Sequence, residues 1–488
     1  MNRSLLRAAL AAAPLAAALT VTDPASAMQP AIALDGLCEE WPASVDAAAD
    51  AEFLYFRLPF PELRDLLTED KPLLIAIDAD ADPATGTPRD GLGVDFEISM
   101  RHRESWREPW FFATAFEEGR PAPVAFERLE PLVQPTSAAE AFELRVRRDA
   151  LPALMHAGRA AGRIELLDAR STRDGSRTRT EDIVLPFEIR LPVGRPVEKV
   201  DASLPPTPRG AIRVLSHNVL WSSPEKNPTP FSRMYRAIDP DLYLIQEWGR
   251  GPWSPAYEHE LEAWFREHVD PDRDWTAIRC EGWGVAIVTH HPVLERGPVE
   301  LRAETLTRWD FPVRFAGAIV RTPDAVLPVG SVHLKAGGDL DTPEDQRRFD
   351  EGRAVREIMG VMIADAQRLA DGAPVLPVLG GDYNHNGHPL VLETPVRGLD
   401  TDGTELTFAF TPVLGTRDRY SFGGPAYGHR RIFLDYIAFP DAAARVVDAF
   451  VLDTEILTDA SLARMSLERS DSSGADHLPV VVDLRALP

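Results

Sequence analysis

Short apolar runs that end in polar residues recur along the second half of the chain. Ile212–Leu215 leads into His217-Asn218, Leu242–Ile245 into Gln246-Glu247, and Pro374–Leu379 into the stretch LGGDYNHNGHP (379–389). Trp283–Thr289 and Val326–His333 have the same character. Runs of this length, bounded by Gly, Asp, Asn and Pro, predict buried strands rather than helices. Between them, Thr342-Pro343-Glu344-Asp345 predicts a helix start: a capping Thr, Pro in the first turn, acids at the positive end of the dipole. Val355, Ile358, Met359, Met362, Ile363 and Leu369 follow largely at three- and four-residue spacing, which gives that helix one buried face. The alternation predicts a mixed α/β fold with at least six strands.

The first half reads differently. Glu52–Leu58, Leu73–Asp78, Val94–Met100 and Phe142–Val146 are short runs rich in Leu, Ile, Val and Phe, separated by Pro, Gly and Asp, as in an all-β sandwich. A stretch with five prolines, PVGRPVEKVDASLPPTPRG (192–210), lies between the halves. It predicts a semi-rigid linker with few contacts across it. At the N-terminus, Arg3 and Arg7 precede the Ala/Leu-rich run Ala8–Val21, and Ala25-Ser26-Ala27 offers a cleavage site. That pattern predicts a signal peptide over residues 1–27 and a secreted product. The expected organisation is therefore 1–27 signal peptide, 28–192 sandwich, 193–209 linker and 210–488 α/β domain. No later run reaches the ~18 apolar residues of a membrane span, so no stable membrane insertion is expected. The chain is read as a monomer.

Charge narrows the chemistry. Lys plus Arg number 52 against 76 Asp plus Glu, a formal net charge of -24. Such a surface repels polyanions at long range, so an anionic substrate needs a local basic patch or a bound cation. Arg250, Lys335, Arg347, Arg430 and Arg431 lie near enough in sequence to the polar strand ends to supply one. Two cysteines, Cys38 and Cys280, are too few for a disulfide framework and are expected to be unpaired.

The polar strand ends then form a pattern: Asn218, Glu247, His333, Asp382 with Asn384, Asp435, and Asp476-His477 before the last strand. One polar residue after a strand is a turn or a cap. Six such groups are a constellation for metal-phosphate chemistry. In this order the segment 210–488 resembles the endonuclease/exonuclease/phosphatase superfamily, which carries Asn, Q-E, a His or Tyr strand, G-D-x-N, D-Y/H and D-H in succession. The resemblance implies a four-layered sandwich, two central sheets with helices on both outer faces, and hydrolysis of phosphate esters.

Hard oxygen donors without clustered cysteines select Mg²⁺ or Mn²⁺ over zinc. Glu247 is the expected metal ligand, with Asn218 and Asp476 nearby. Asp382 would orient or deprotonate the attacking water, or hold a second metal, and Asn384 would donate to phosphate oxygens. His477, oriented by Asp435, would stabilise the pentacovalent phosphate, and the resemblance implies that His333, placed where secreted nucleases and sphingomyelinases of the superfamily carry a second His, would protonate the leaving oxygen. The expected substrate is a phosphodiester, nucleic acid first. A sphingomyelinase-like lipid phosphodiesterase, for which RWDFPVRF (308–315) offers a membrane-contacting hairpin, or a phosphatase is the alternative. A glycan-binding protein with a lapsed catalytic domain is the third reading.

In the first half, AIALDGLCEEWP (31–42) and IDADADPATGTPRDGLGVDFEI (77–98) resemble the family-nine type of carbohydrate-binding module. That implies a glycan as ligand. Asp78, Asp80, Asp82 and Asp95 are spaced as calcium-type oxygen ligands.

Overall fold

The structure is a computed structural model that describes residues 32–42, 45–66, 73–100, 111–117, 119–166, 169–171, 177–179, 183–192, 199–249, 254–280, 284–298, 300–302, 312–424 and 429–487. The signal-peptide segment and the first half of RWDFPVRF, residues 308–311, lie outside the described residues.

The α/β part is built on two six-stranded sheets. In the first, Ile212–Asn218 and Leu242–Gln246 run parallel at the centre, flanked by Ala286–Thr289 and Thr276–Arg279 on one side and Val480–Ala486 and Ala444–Val451 on the other. In the second, Val326–His333 and Val378–Asp382 form the parallel centre, flanked by Phe315–Arg321 and Val293–Arg296, and by Asp435–Phe439 and Thr407–Phe408.

Both faces of the central strands are covered, which is why they read as apolar runs rather than alternating ones. Side-chain alternation sends Val214, Leu242 and Leu244 into the core shared with the second sheet, and Leu215, Tyr243 and Ile245 into a separate cluster. That second cluster is completed by Phe231, Met234 and Tyr235 of helix Pro228–Ile238 and by Trp264 and Phe265 of helix Pro255–His268. On the opposite outer face, Ala366 and Ala370 at the end of helix Pro343–Leu369 pack on Ile319 and Val326. The layer order is helices, sheet, sheet, helix. The helix start at Thr342 is as expected, since its side chain accepts from the Asp345 N–H.

The first half contains one further six-stranded sheet and four strands of another, which together enclose one core, including Leu54, Phe56, Ile75, Ile98, Phe142 and Leu144. Its relation to the α/β part departs from the linker expectation. Residues Phe422–Gly424 and His429–Ile432 add to the edge of the sheet formed by Ala47–Ala49, Phe53–Arg64, Ala139–Arg147 and Leu132–Gln134, with Arg431 opposite Leu132. Ile32, Leu34, Trp41, Phe53, Tyr55 and Leu132 belong to the same apolar cluster as the two central α/β sheets. Arg145 pairs with Asp418 at 2.7 Å, the Ala138 N–H donates to the Gly387 carbonyl at 2.8 Å, and the Phe433 N–H donates to Thr136 Oγ1 at 3.0 Å. Proline-rich sequence predicts backbone stiffness and says nothing about the surfaces on either side.

A consequence is testable. Burying an apolar side chain of this size contributes ~1.5–3 kcal/mol, so uncovering the partners of six of them removes a share comparable with the about 5–15 kcal/mol that holds a domain folded. Residues 210–488 expressed alone should be insoluble, or should melt well below the full-length protein in a thermal scan. A fragment as stable as the whole chain would show that the shared core is dispensable.

Candidate active site

The strand registers bring the polar ends together. Asn218 is opposite Gln246, so Glu247 follows at the same edge; His333 is opposite Asp382, and Asp382 opposite Asp435. Strand Val480–Ala486 runs antiparallel to Ile212–Asn218 with Val480 opposite Ser216, which carries the preceding His477 to that edge.

The side chains meet there. Asn218 Nδ2 donates to Glu247 Oε1 at 3.2 Å and to Asp382 Oδ2 at 3.1 Å, while its Oδ1 accepts from the Leu220 N–H. His333 Nε2 is 3.4 Å from Asp382 Oδ2 and 3.9 Å from Glu247 Oε1. His477 Nε2 lies 3.7 Å from the same Asp382 oxygen, and its Nδ1 holds Asp435 Oδ2 at 2.7 Å. The Asn384 N–H donates to Asp382 Oδ1 at 2.8 Å, and its Nδ2 donates one hydrogen to the Leu334 carbonyl, which leaves a second. Seven of the eight expected site residues are thus in one network. Asp476 is adjacent in the chain and half-buried, and its carbonyl accepts from the Gly423 N–H; no side-chain bond joins it to Asn218, Glu247 or Asp382.

Backbone strain aims two of these groups. Glu247 has φ +62° and Asn384 φ +45°, left-handed conformations that cost of order 1–3 kcal/mol for residues with a Cβ. The two glycines before Asp382 do something other than turn the chain. Both lie inside strand Val378–Asp382, where a Cβ on Gly380 would meet Leu244 Cδ1 of the facing sheet at 2.7 Å and one on Gly381 would lie 2.0 Å from the Val332 carbonyl oxygen. They permit close approach of backbone and sheet beneath the carboxylate.

Electrostatics divides the titratable groups. Burial pushes the Asp382 carboxyl up and Asp435 adds to it, opposed by His477 and by the Asn384 and Asn218 bonds. Burial alone would lower His477, but the charges of Asp435 and Asp382 outweigh it and raise the imidazole to about 10. His333 goes the other way: burial, then the cations Arg314, His477 and Lys335, hold it well below the usual imidazole range. A neutral His333 is a hydrogen-bond donor, which argues against the general-acid role expected from sequence.

Three supporting residues were not expected. Arg314 Nη1 stands 3.0 Å from Nδ1 and 3.1 Å from Nε2 of His333. It lies within RWDFPVRF, which reads only as a surface hairpin until the register Phe315 opposite Val332 puts it beside His333. Ser421 Oγ donates to Asp435 Oδ2 at 2.7 Å and so orients the carboxylate that orients His477. His217 is buried and neutral, its pKa lowered to about 3 mainly by desolvation. Its Nε2 donates to the His477 carbonyl at 3.2 Å and its Nδ1 accepts from Tyr235 Oη at 3.0 Å.

A cavity of about 310 Å³ opens beside Glu247 and His333, lined also by Trp221, Pro312, Arg314, Lys335 and Arg347. Of the five basic residues expected near the site, Lys335 and Arg347 are there. Arg431 is instead buried over the Tyr420 ring, 3.6 Å from both Glu130 and Asp453. Arg250 and the Arg430 side chain lie outside the described residues.

The donors fit a hard divalent cation. Glu247 and Asp382 converge on one amide group, an arrangement of like charges that a cation between them would relieve, and the Asn218 amide would turn its neutral oxygen, now accepting from the Leu220 N–H, toward such an ion. In the first half, Asp78, Asp80 and Asp95 also converge, with carboxylate oxygens accepting from the Asp82, Gly93 and Ala79 N–H groups. Neither Cys38 nor Cys280 forms a disulfide among the described residues. No helix among the described residues is long and apolar enough to cross a membrane.

No protein-family model matches the chain, and no curated protein does. Among solved structures, the human Nocturnin catalytic domain is similar over 58% of this chain and 97% of its own, at 16% identity and TM-score 0.38. Sphingomyelinase C from Streptomyces griseocarneus is similar over 56% of this chain and 99% of its own, at 17% identity and TM-score 0.33. The solved structures similar to this chain also include an endonuclease/exonuclease/phosphatase family protein from Bacteroides thetaiotaomicron, at 16% identity and TM-score 0.37 over 56% of this chain and 94% of its own.

Proposed function

We propose that the protein is a secreted, divalent-metal-dependent phosphodiester hydrolase acting on nucleic acid. The observation that carries this is the Asn218 amide bridging Glu247 and Asp382, with the Asp435–His477 pair facing the same Asp382 oxygen. Glu247, Asp382 and Asn218 would hold Mg²⁺ or Mn²⁺, with Asp476 the nearest further carboxylate in sequence. When bound, the cation neutralises phosphate charge and makes water more acidic.

The side chains supply the rest. Asp382 accepts a proton from the attacking water as the new P–O bond forms. Protonated His477 donates from Nε2 to a non-bridging phosphoryl oxygen, where charge accumulates. Asn384 has one amide hydrogen left for a second phosphoryl oxygen. As the P–O bond to the leaving oxygen breaks, neutral His333, braced by Arg314, donates a hydrogen bond to that oxygen, which takes its proton from solvent. Nucleic acid is favoured because Arg314, Lys335 and Arg347 line the cavity beside Trp221, which is 43% exposed: cations for neighbouring phosphates and a ring on which a base stacks. Secretion rests on the pattern of residues 1–27. The first half, residues 28–192, is assigned a binding role, with calcium at Asp78, Asp80 and Asp95 and a glycan as its ligands.

The test is a substrate panel with purified full-length protein: single- and double-stranded DNA, RNA, sphingomyelin vesicles, and a phosphomonoester, with Mg²⁺, Mn²⁺ or EDTA. Nucleic acid should be cleaved, and EDTA should abolish the cleavage. Choline-phosphate release without nucleic-acid cleavage would establish the lipid reading instead, and no turnover of any phosphodiester would end the proposal.

A further inference from the structure

At the opposite end of the first central sheet, Asp241 and His290-His291 form a second cluster of metal-ligating groups. Asp241 precedes strand Leu242–Gln246, whose far end delivers Glu247, and six extended residues span about 20 Å. Strand Ala286–Thr289 runs antiparallel to it with Thr289 opposite Leu242, so the next two residues, both histidines, come back beside Asp241. His291 Nε2 is 3.1 Å and His290 Nε2 3.9 Å from Asp241 Oδ1, and one donor atom from each residue lies within 4.8 Å of the others.

We infer that Asp241, His290 and His291 form a zinc site distinct from the catalytic centre, with a solvent molecule as fourth ligand. Two imidazoles and one carboxylate are a donor set that suits Zn²⁺ and not Mg²⁺. Bonds of ~2.0–2.1 Å at tetrahedral angles place donors about 3.3 Å apart, so His291 already has the spacing and the His290 ring closes by roughly half an ångström. The carboxylate is preset: Oδ2 accepts from the Arg213 N–H at 2.8 Å, which leaves Oδ1 toward the histidines. The loop is preset too, since Thr289 Oγ1 donates to the Asp241 carbonyl and accepts from the His291 N–H.

The His290 ring packs edge-on against Trp275 and lies 4.3 Å from the His291 ring, and its Nδ1 is buried without a hydrogen-bond partner. The side chains are 15–25% exposed, so an ion has access from solvent and a water has room. Such an ion would tie the loop after Thr289 to the start of the strand that carries Gln246-Glu247.

The test is Zn²⁺ titration of EDTA-stripped full-length protein by calorimetry, with the visible spectrum of the Co²⁺ form. Wild type should show the intense bands of a tetrahedral nitrogen-containing site, and its melting temperature should rise by a few degrees at a hundredfold excess of Zn²⁺ over Kd. His290→Gln and His291→Gln should each lose one equivalent of Zn²⁺, the tetrahedral bands and the thermal shift, while Glu247→Gln retains all three. Only weak octahedral Co²⁺ bands in wild type, or equal Zn²⁺ stoichiometry in wild type and both histidine variants, would overturn the site. So would loss of the signal in Glu247→Gln, which would place the ion at the catalytic centre.

Discussion

His477→Ala is expected to turn over on the order of 10²–10³-fold more slowly than wild type at every metal concentration, with substrate binding nearly unchanged. The magnitude is that of removing one donor aimed at transition-state charge. The imidazole is placed for that role: Asp435 grips Nδ1 at 2.7 Å, and Nε2 points to the Asp382 oxygen. A cation elsewhere in the site does not replace a directional donor.

The pH profile carries a second signature of the same residue. The protonated imidazole is required, so activity should persist through neutral pH and fall as pH rises through about 10. The acid limb follows Asp382, whose raised pKa places the loss of activity on acidification above the ordinary carboxylate value of ~3.9. Asp435→Asn removes the larger of the two charges that raise His477, so its alkaline limb should move down toward ~6.5. Near-wild-type turnover in His477→Ala, or an unmoved alkaline limb in Asp435→Asn, would show that this imidazole is not the donor.

Glu247→Gln should fail in a different way. An amide lacks the charge that a hard divalent ion needs, so apparent metal affinity should fall about a hundredfold or more, the upper end of what even outer-shell partners cost. High Mg²⁺ or Mn²⁺ should then recover much of the rate. Turnover measured against metal concentration separates the variants: a shifted curve for Glu247→Gln, a lowered plateau for His477→Ala. Superimposable curves for Glu247→Gln and wild type would remove Glu247 from the cation site.

How much of this was legible depended on how local the cause was. The central strands and the capped helix at Thr342 follow from periodicity and from one side chain's bond three residues on. The site residues were legible because strand ends are where short polar groups can break an apolar run, and parallel pairing then carries them to one edge. Arg314 was hidden because its partner is set by a hairpin register, not by spacing in sequence. Ser421 was hidden because it sits far from any strand signal and acts through Asp435. The neutral state of His333 depends on burial and on Arg314 and His477, cations from separate segments that the motif around it does not show, with Lys335 two residues on adding to them. Gly-Gly before Asp is by itself a turn signal; only the depth of the strand and the nearness of Leu244 and Val332 show that Gly380 and Gly381 are there for contact.

The strand His429–Ile432 that completes the edge beside Leu132–Gln134 also sets an order of events in biosynthesis. A chain made from its N-terminus has its first half available long before residue 432 exists. That half's sheet stays open at one edge, with Ile32, Leu34, Trp41 and Phe53 lacking the α/β side chains they cluster with, until nearly three hundred more residues have followed. Contacts so distant in sequence slow folding, and exposed apolar surface invites association meanwhile. The nascent first half is therefore the stage at which this protein depends most on a chaperone.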